Sequence, residues 1–418
     1  MFYIFILKMK INKKIIIFTY DYPTGSSENT FIEFELSKLS EIFEKIEIIP
    51  QKNFEKNQRL KKDNISINLE LSKKLNILNL ILFFFSHTLF SLKFYNEIKE
   101  NLFKKNFFKK LKMIMMEATQ SEIAFNWIVK NKLDNNKNQI FYSFWSDYLL
   151  LTFNKLKKIY DIKAISRTLG SDLNGFIKDD DFVPFKDDKF TSMDKIVLLN
   201  DYQKDKFQKY SFDDQLKIAP LGVFPQKKNF NEKVDLNEPI TFISCGNLIE
   251  IKNNFLMIDF LNKFSHQTNK KVKFIMIGDG ILKNKILNKI KNLKNIIFEY
   301  HKHVENFVDF LNQNKIHFFL NFSSQEGMPF TIMESMSCGI PAIVSSIPPN
   351  KYLVNKNGFI FDLNDFTNSI SFTISEVNQC VENKDKYLLK SKKSFDFINE
   401  NLINSNCFEK FKVILNKL

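Results

Sequence analysis

Residues 316–344, IHFFLNFSSQEGMPFTIMESMSCGIPAIV, decide the fold of this chain. They predict a buried strand, a glycine-bearing loop, a short helix and a second buried strand. Apolar runs form both ends, Pro329 suits the first helical turn, and Gly339 suits the position just past the helix. Two glutamates, Glu326 on the loop and Glu334 in the helix, have seven residues between them. A helix entered from the end of a buried strand is where α/β proteins hold phosphorylated ligands, so this stretch predicts such a site.

Each part of the loop and helix suits a different part of such a ligand. The backbone N–H groups of the segment that follows Glu326 would face the carboxyl end of the strand and meet a diphosphate. Its four residues are Gly327, Met328, Pro329 and Phe330. Glu334 can accept two ribose hydroxyls, because a carboxylate offers two acceptor oxygens. Glu326 can reach a second polyol, for which a sugar is the best candidate.

The run from Glu326 to Pro341, EGMPFTIMESMSCGIP, resembles the E-x7-E signature of retaining glycosyltransferases with the GT-B fold. More narrowly it is similar to the large family 4, which contains many bacterial cell-surface polysaccharide enzymes. The resemblance implies an α/β protein with two Rossmann-like domains facing a cleft. A bare E-x7-E pair also fits a buried βαβ unit whose acids face solvent. The glycine, the prolines and the flanking apolar strands favour the nucleotide-sugar interpretation.

The composition limits the class of protein. The chain has 418 residues, of which 44% are apolar and 26% charged, and this excludes a disordered chain and predicts two or three domains. Its net charge of +14 favours phosphate groups or anionic membranes as partners. Nucleic acid is not expected, because zinc-finger spacing and RNP motifs are missing. Cys245 and Cys338 are interpreted as buried thiols of a reducing compartment, and the opening MFYIFILKMK is not expected to be a secretory signal.

Strands alternate with helices on both sides of a polar, proline-bounded stretch, which predicts two Rossmann-like domains. The predicted boundaries are 1–224 for an acceptor-side domain, 225–239 for a linker and 240–395 for a nucleotide-sugar-binding domain. Residues 396–418 are predicted to form a C-terminal helix that crosses back to the first domain, as in GT-B enzymes.

The loop DYPTGSSEN follows the first predicted strand and places Gly25 at its carboxyl end, with free backbone amides around it. Gly25 is therefore a candidate donor contact, although Gly-Ser turns are common. The neighbouring sequence resembles a Y-P-x-G…E-x-x-F-x-E-x-E pattern of a bacterial family 4 subgroup. The residues that fit this pattern are Tyr22, Pro23, Gly25, Glu28, Phe31, Glu33 and Glu35.

A second segment supplies a candidate cation for the leaving phosphate. The sequence GNLIEIKN, residues 246–253, resembles the family element G-R-L-x-x-x-K-N. Lys252 matches the lysine, whose charge would stabilise the departing diphosphate without a metal. Asn247 stands at the arginine position and offers only neutral hydrogen bonds to the donor. The resemblance thus implies catalytic roles for Lys252 and Glu326 and donor contacts from Asn247. The alternative for Lys252 is a solvent-facing lysine at a helix start.

In the first half, SRTLGSD, residues 166–172, resembles an S-R-A-H-G-x-D segment of the same subgroup. Leu169 replaces the family histidine and can neither donate a hydrogen bond nor carry a proton, so no general base is expected there. Arg167 and Asp172 are candidates for acceptor binding. A mutual surface ion pair is the alternative for these two residues.

Two segments raise the question of a membrane. Residues 75–92 carry no charge but are interrupted by polar side chains, so a helix packed on the domain or lying at a membrane surface is expected rather than a span. Residues 101–116 predict a basic amphipathic helix with Phe103, Phe107 and Ile114 on its apolar stripe. Contact with an anionic inner leaflet and burial of the stripe in the core are both open.

The resemblance implies a cytoplasmic, retaining, metal-independent hexosyltransferase, placed at the cytoplasmic face of the inner membrane. It would move a hexose-type unit from a UDP- or GDP-linked donor to a glycan of a lipopolysaccharide or capsule, on a lipid carrier. No cofactor besides the donor substrate and no metal site are expected. One alternative is a GT-B nucleotide-sugar epimerase. The other is a degenerate transferase acting as a binding or assembly protein, motivated by Asn247 and Leu169.

Overall fold

The computed structural model describes nine stretches of the chain, with side chains from residue 14 onward. They are residues 11–25, 28–54, 62–133, 139–170, 172, 182–207, 213–226, 234–237 and 239–418. The chain forms two compact units. Unit 1 comprises residues 1–220 together with 408–418, and unit 2 comprises residues 221–407.

Unit 1 contains a seven-stranded parallel sheet. Its strands are β1 (Ile11–Thr19), β2 (Phe43–Pro50), β3 (Ile65–Ile67), β4 (Gln139–Ser143), β5 (Lys163–Arg167), β6 (Lys195–Leu198) and β7 (Leu216–Ile218). They lie in the order β3-β2-β1-β4-β5-β6-β7. Every neighbouring pair is parallel.

The helices of unit 1 cover this sheet. They are α1 (Asn29–Ile42), α2 (Glu70–Lys74), α3 (Ile77–Ser86), α4 (Leu92–Asn101), α5 (Phe107–Lys130), α6 (Tyr148–Lys157), α7 (Lys186–Phe190) and α8 (Asp201–Phe207). A short 3₁₀ turn, Thr88–Phe90, lies between α3 and α4. Because helices cover a parallel sheet on both faces, its central strands contain continuous apolar runs, and residues 15–18 of β1 are all fully buried.

Unit 2 contains a six-stranded parallel sheet in the order β10-β9-β8-β11-β12-β13. Its strands are β8 (Ile240–Cys245), β9 (Val272–Ile277), β10 (Ile296–His301), β11 (Phe318–Asn321), β12 (Ala342–Ser345) and β13 (Phe359–Phe361). Its helices are α9 (Asn254–Gln267), α10 (Lys283–Lys291), α11 (Phe307–Gln313), α12 (Phe330–Ser337), α13 (Pro348–Leu353), α14 (Phe366–Glu382) and α15 (Lys384–Asn401). The predicted α/β class with two Rossmann-like domains is confirmed.

Both sheets reverse their winding beside their first strand. In unit 2 the chain runs outward from β8 to β10 on one side, then continues from β11 to β13 on the other. The topological switch point of this sheet therefore lies between the neighbouring strands β8 and β11. In α/β sheets, ligands bind outside the carboxyl ends of the strands at this point.

The last helix, α16 (Asn404–Leu415), begins in unit 2 and ends in unit 1. Within unit 1, the ring of Phe411 lies 5.5 Å from that of Tyr142. Tight contact at the start of α16 limits residue size, because a Cβ on Gly222 would lie 2.5 Å from the Ile403 carbonyl carbon. Most of the predicted linker, residues 227–233 and 238, lies outside the described residues.

The amphipathic helix predicted over residues 101–116 has different bounds in the structure. Helix α5 begins only at Phe107, after Asn106 in a left-handed conformation with a φ of 61°. Ile114 is fully buried, whereas Phe103 is 96% exposed and lies in the preceding turn. The predicted stripe is thus divided between the core and the surface. Within the described ranges no single helix is long and apolar enough to cross a membrane. The helical segments 77–90 and 92–101 reach that length and apolarity only when they are taken together, and the chain bends by 85° between them.

Candidate functional site

The loop after β8 and the loop after β11 meet at the switch point of unit 2. The N–H of Ser324 donates to the carbonyl of Ile251 at 2.8 Å. The side-chain amide of Asn253 donates to the carbonyl of Phe322 at 2.9 Å. These bonds fix the two loops against each other, so side chains that are far apart in sequence meet there.

Lys252 and Glu326 are brought together by these two loops. Lys252 Nζ lies 2.5 Å from Glu326 Oε1, and the same oxygen accepts from Asn321 Nδ2 at 3.2 Å. The two side chains are only 24% and 13% exposed. Lys252 ends a short 3₁₀ turn and is not the solvent-facing lysine of the alternative interpretation.

Glu334 lies on the second turn of α12, at the same end of the sheet. Burial raises the pKa of its carboxyl to about 7. Its charge acts on the thiol of Cys245 at the end of β8, whose pKa burial and this carboxylate raise to about 12. Within the described part of the chain the Glu334 carboxylate has neither a hydrogen-bond nor an ion-pair partner. A half-buried carboxylate without such a partner lacks hydrogen-bond donors, and the hydroxyl groups of a bound polyol would supply them.

The turn into α12 follows the predicted pattern with one adjustment. Pro329 is the residue just before the helix, and Gly339, just after it, has a φ of 77°. The predicted donor contacts of this turn are all buried, with Met328 7% and Phe330 9% exposed. Pro329 has no N–H, so of the segment Gly327–Phe330 only its other three residues carry an amide hydrogen.

The glycine turn after β9 supports the turn after β8. Leu248 N–H donates to the carbonyl of Asp279 at 2.9 Å, and Gly246 N–H donates to that of Ile277 at 3.0 Å. A Cβ on Gly278 would lie 2.0 Å from the carbonyl oxygen of Gly246, so only glycine fits there. Asn247 projects from this supported turn with its side chain exposed.

In the described part of the loop after β1 in unit 1, residues 20–25, the amides that the sequence predicts to be free already have partners. Gly25 N–H donates to the carbonyl of Asp21 at 2.6 Å. The carboxylate of Glu28 accepts from the N–H groups of residues 20, 21 and 22 at 2.9–3.0 Å, and from the indole of Trp145. Ser26 and Ser27 of the same loop lie outside the described residues. The chain's own carboxylate occupies this amide cluster.

Arg167 is a core residue of unit 1. Its guanidinium is fully buried and donates to Glu35 at 2.5 Å, to the Tyr142 hydroxyl at 3.0 Å and to the Ala219 carbonyl at 2.7 Å. The face of the Phe411 ring lies 4.8 Å away. This network contradicts the surface ion pair with Asp172 and leaves the guanidinium no exposed atom for an acceptor.

Asp172, the other acceptor-site candidate, is also buried. Its carboxylate accepts from the N–H of Leu169 at 2.7 Å, and burial raises its pKa to about 7. Sequence reasoning did not identify the partners of Arg167, although Glu35 stood in the quoted E-x-E pattern. The pairing joins residues 132 positions apart, and no spacing rule indicates it.

The part of the chain that contains the candidate site matches known proteins. Residues 225–387 match the protein family described as glycosyl transferases group 1. The O-antigen biosynthesis glycosyltransferase WclY of Escherichia coli is 34% identical over 146 residues, covering 33% of this chain and 38% of WclY. A UDP-Gal:alpha-D-GlcNAc-diphosphoundecaprenol alpha-1,3-galactosyltransferase of Escherichia coli is 28% identical over 209 residues, 45% of this chain and 52% of the relative. The chain thus matches between about two-fifths and one-half of the length of these relatives.

Two solved structures match over nearly the whole chain. The lipopolysaccharide outer core galactosyltransferase WaaB in its apo form has a TM-score of 0.63 at 16% identity, covering 97% of this chain and 100% of WaaB. TarM has a TM-score of 0.66 at 14% identity, with 97% and 99% covered. At these identities the likeness establishes the fold. The chain therefore has the GT-B fold of two parallel-sheet α/β domains, and its unit 2 carries a match to the glycosyl transferases group 1 family.

Proposed function

We propose that this protein is a retaining, family 4 glycosyltransferase that moves a hexose-type sugar from a nucleotide-sugar donor to a surface glycan. The observation that carries the proposal is the Lys252–Glu326 pair at the switch point of unit 2, with the charges of both Lys252 and Glu334 acting on Cys245 at the end of β8. The match to glycosyl transferases group 1 covers the same part of the chain.

The three side chains suit the three parts of a nucleotide sugar. Glu334 has a carboxylate for which no described residue is a partner, and this suits the paired hydroxyls of a ribose. Lys252 carries the positive charge that a departing diphosphate requires. Glu326, held by Lys252 and Asn321, presents its second oxygen, Oε2, to a sugar hydroxyl.

Charge on the leaving diphosphate is the main electrostatic demand of glycosyl transfer. In this proposal Lys252 and the amides at the start of α12 stabilise the negative charge of the leaving diphosphate, and no metal takes part. In a retaining, front-face reaction the leaving phosphate itself accepts the proton of the acceptor. Such a route requires no general base, which fits the presence of Leu169 in place of a histidine.

We further propose a UDP- or GDP-linked donor and a lipid-linked acceptor for lipopolysaccharide or capsule at the cytoplasmic face of the inner membrane. UDP is bound in a mutant of S. aureus TarM and in pneumococcal GtfA, two solved structures of the same fold. The galactosyltransferase relative acts on a diphosphoundecaprenol-linked sugar according to its name. The epimerase and the non-catalytic alternative are not favoured, because the matching relatives are glycosyltransferases.

A release assay with the purified protein tests the proposal. UDP- and GDP-sugars are incubated with and without a polyprenyl-diphosphate sugar, and free nucleotide and glycosylated lipid are measured. We expect nucleotide release that depends on the acceptor and matches the lipid product in amount. Isomerised donor without acceptor would instead identify an epimerase. Donor binding without turnover for every acceptor would support the non-catalytic alternative.

A further inference from the structure

Helix α3 of unit 1 is strongly apolar and yet unburied. Eight of its ten residues are Ile, Leu or Phe, and none of the ten is buried. The exposed apolar residues recur at positions i, i+4 and i+8 and at their neighbours, which places them on one side of the helix. They are Ile77, Leu78, Ile81, Leu82 and Phe85, each more than half exposed. We call this set the α3 face.

Helix α3 is nevertheless a well-anchored element. The side chain of Asn76 accepts from the N–H of Asn79 at 2.9 Å and so caps the helix. On the inner side, the ring of Phe84 packs edge-on against that of Phe94 at 5.8 Å, in a cluster with Ile114. The α3 face is therefore the side of the helix that does not pack on unit 1, and no described residue covers it. Apolar patches of this kind usually mark interaction sites.

Positive charge surrounds this part of the chain. Residues 70–112 contain nine lysines and three glutamates. Lys73 and Lys74 end α2, two residues before α3 begins, and are exposed. The turn between α4 and α5 and the first turn of α5 continue the pattern, since Phe103 is 96% and Phe108 83% exposed, and Lys104, Lys105 and Lys109 are exposed too. Within the described residues none of the lysines at 73, 74, 104, 105 and 109 has an ion-pair partner.

We propose that the α3 face, with its flanking lysines, docks unit 1 on the anionic surface of a bilayer, where α3 lies in the interface. Apolar area combined with lysines is what binds a helix to an anionic leaflet. A second copy of the chain would set lysines against lysines, so self-association does not suit this surface. The inference does not depend on the proposed transfer reaction.

Vesicle co-sedimentation of the full chain tests this docking. The vesicles are made of phosphatidylcholine, alone or with about 30 mol% phosphatidylglycerol, and contain no glycan acceptor. We expect binding to the anionic vesicles, and a loss of about tenfold or more in the partition coefficient for Leu82→Glu. The matched control is Phe372→Glu, which adds the same charge at a 67% exposed apolar residue of α14 in unit 2 and should leave binding unchanged.

A second variant set separates charge from apolar contact. Replacing Lys104, Lys105 and Lys109 by glutamine should weaken binding at low salt and reduce its dependence on salt concentration. Circular dichroism verifies that each variant is folded. Absence of wild-type binding to anionic vesicles would overturn the proposal, as would equal losses for Leu82→Glu and Phe372→Glu. A dimer in sedimentation equilibrium that Leu82→Glu dissolves, without vesicle binding, would overturn it in favour of a second copy.

Discussion

Two glutamates of unit 2 differ in what their environment provides. Glu326 is held by Lys252 and Asn321, while Glu334 has a raised pKa and lacks a partner among the described residues. This difference explains why one is proposed to serve the sugar during transfer and the other to bind the ribose. Both assignments stay predictions, and substitution of each residue separates them.

Glu334→Ala should weaken nucleotide binding by about tenfold, because two hydroxyl contacts to a carboxylate are lost. Glu326→Gln should lower kcat more than nucleotide affinity, because its interaction strengthens only when the anomeric bond breaks. Titration calorimetry with UDP or GDP and steady-state kinetics measure the two effects. Unchanged constants in both variants would contradict the site assignment.

The raised pKa of Glu334 predicts a pH-dependent stability. Its carboxyl titrates near 4.5 in the unfolded chain and near 7 in the folded chain. The contribution to stability is therefore complete below about pH 4.5 and is lost as the pH rises through about 7. Glu334→Gln should raise the melting temperature above that of the wild type at about pH 8, and the gain should disappear near pH 4.5.

Thermal unfolding of both proteins across this pH range provides the measurement. Glu305→Gln is the control, since Glu305 is exposed on the same unit and should show no comparable change. A stability gain for Glu334→Gln that is the same at all pH values would contradict burial as its cause.

At the scale of secondary-structure elements, one buried ion pair connects unit 1 internally. Arg167 at the end of β5 contacts Glu35 of α1 and Tyr142 of β4, and Phe411 of α16 covers its guanidinium. Removing one member of a buried pair leaves the other charge unpaired. The network thus fixes a helix, two strands and the returning C-terminal helix around one guanidinium.

Glu35→Gln should destabilise unit 1 by about 3–5 kcal/mol, because the buried guanidinium then lacks its carboxylate. Arg167→Met should cost a similar amount. The double variant should cost clearly less than the sum of the two, as expected for directly interacting residues. Urea unfolding followed by fluorescence gives these values, and additive losses would show that the two side chains do not interact in solution.

The glycine turns of unit 2 offer a matched pair of substitutions. Gly246 and Gly278 have similar φ values of 157° and 145°. A Cβ on Gly278 would collide with the Gly246 carbonyl, whereas one on Gly246 would have nothing within 4 Å. Gly278→Ala should therefore cost about 1–3 kcal/mol more than Gly246→Ala, and should weaken nucleotide binding because the turn carrying Asn247 shifts. Equal losses would show that φ alone decides the effect.

For the whole molecule, the sequence predicted the fold well because parallel strands leave a strong signal. Apolar runs such as that of β1, and the strand–loop–helix–strand order of residues 316–344, repeat at spacings that only an α/β unit accommodates. Glu326, Lys252 and Glu334 were predicted as site residues from family motifs, each within one short segment of the chain. The contact between Lys252 and Glu326 was not evident from periodicity, because it depends on how β8 and β11 lie side by side.

Other features depend on long-range packing and could not be predicted. The sequence indicates that residues 101–116 are amphipathic, but the left-handed Asn106 decides where α5 begins and therefore which phenylalanines are exposed. The charge partner of Arg167 comes from another element, so the local motif suggested Asp172 instead. In both cases the local sequence indicated the kind of side chains involved, but it did not indicate which other residues they would contact.

The most direct test of the central claim is a crystal structure of the protein with an unhydrolysed UDP- or GDP-sugar. We expect the ribose hydroxyls on the Glu334 carboxylate, the diphosphate at Lys252 Nζ and at the start of α12, and the sugar against Glu326. A nucleotide sugar bound elsewhere, with Lys252 and Glu326 still paired and Glu334 still unoccupied, would contradict it.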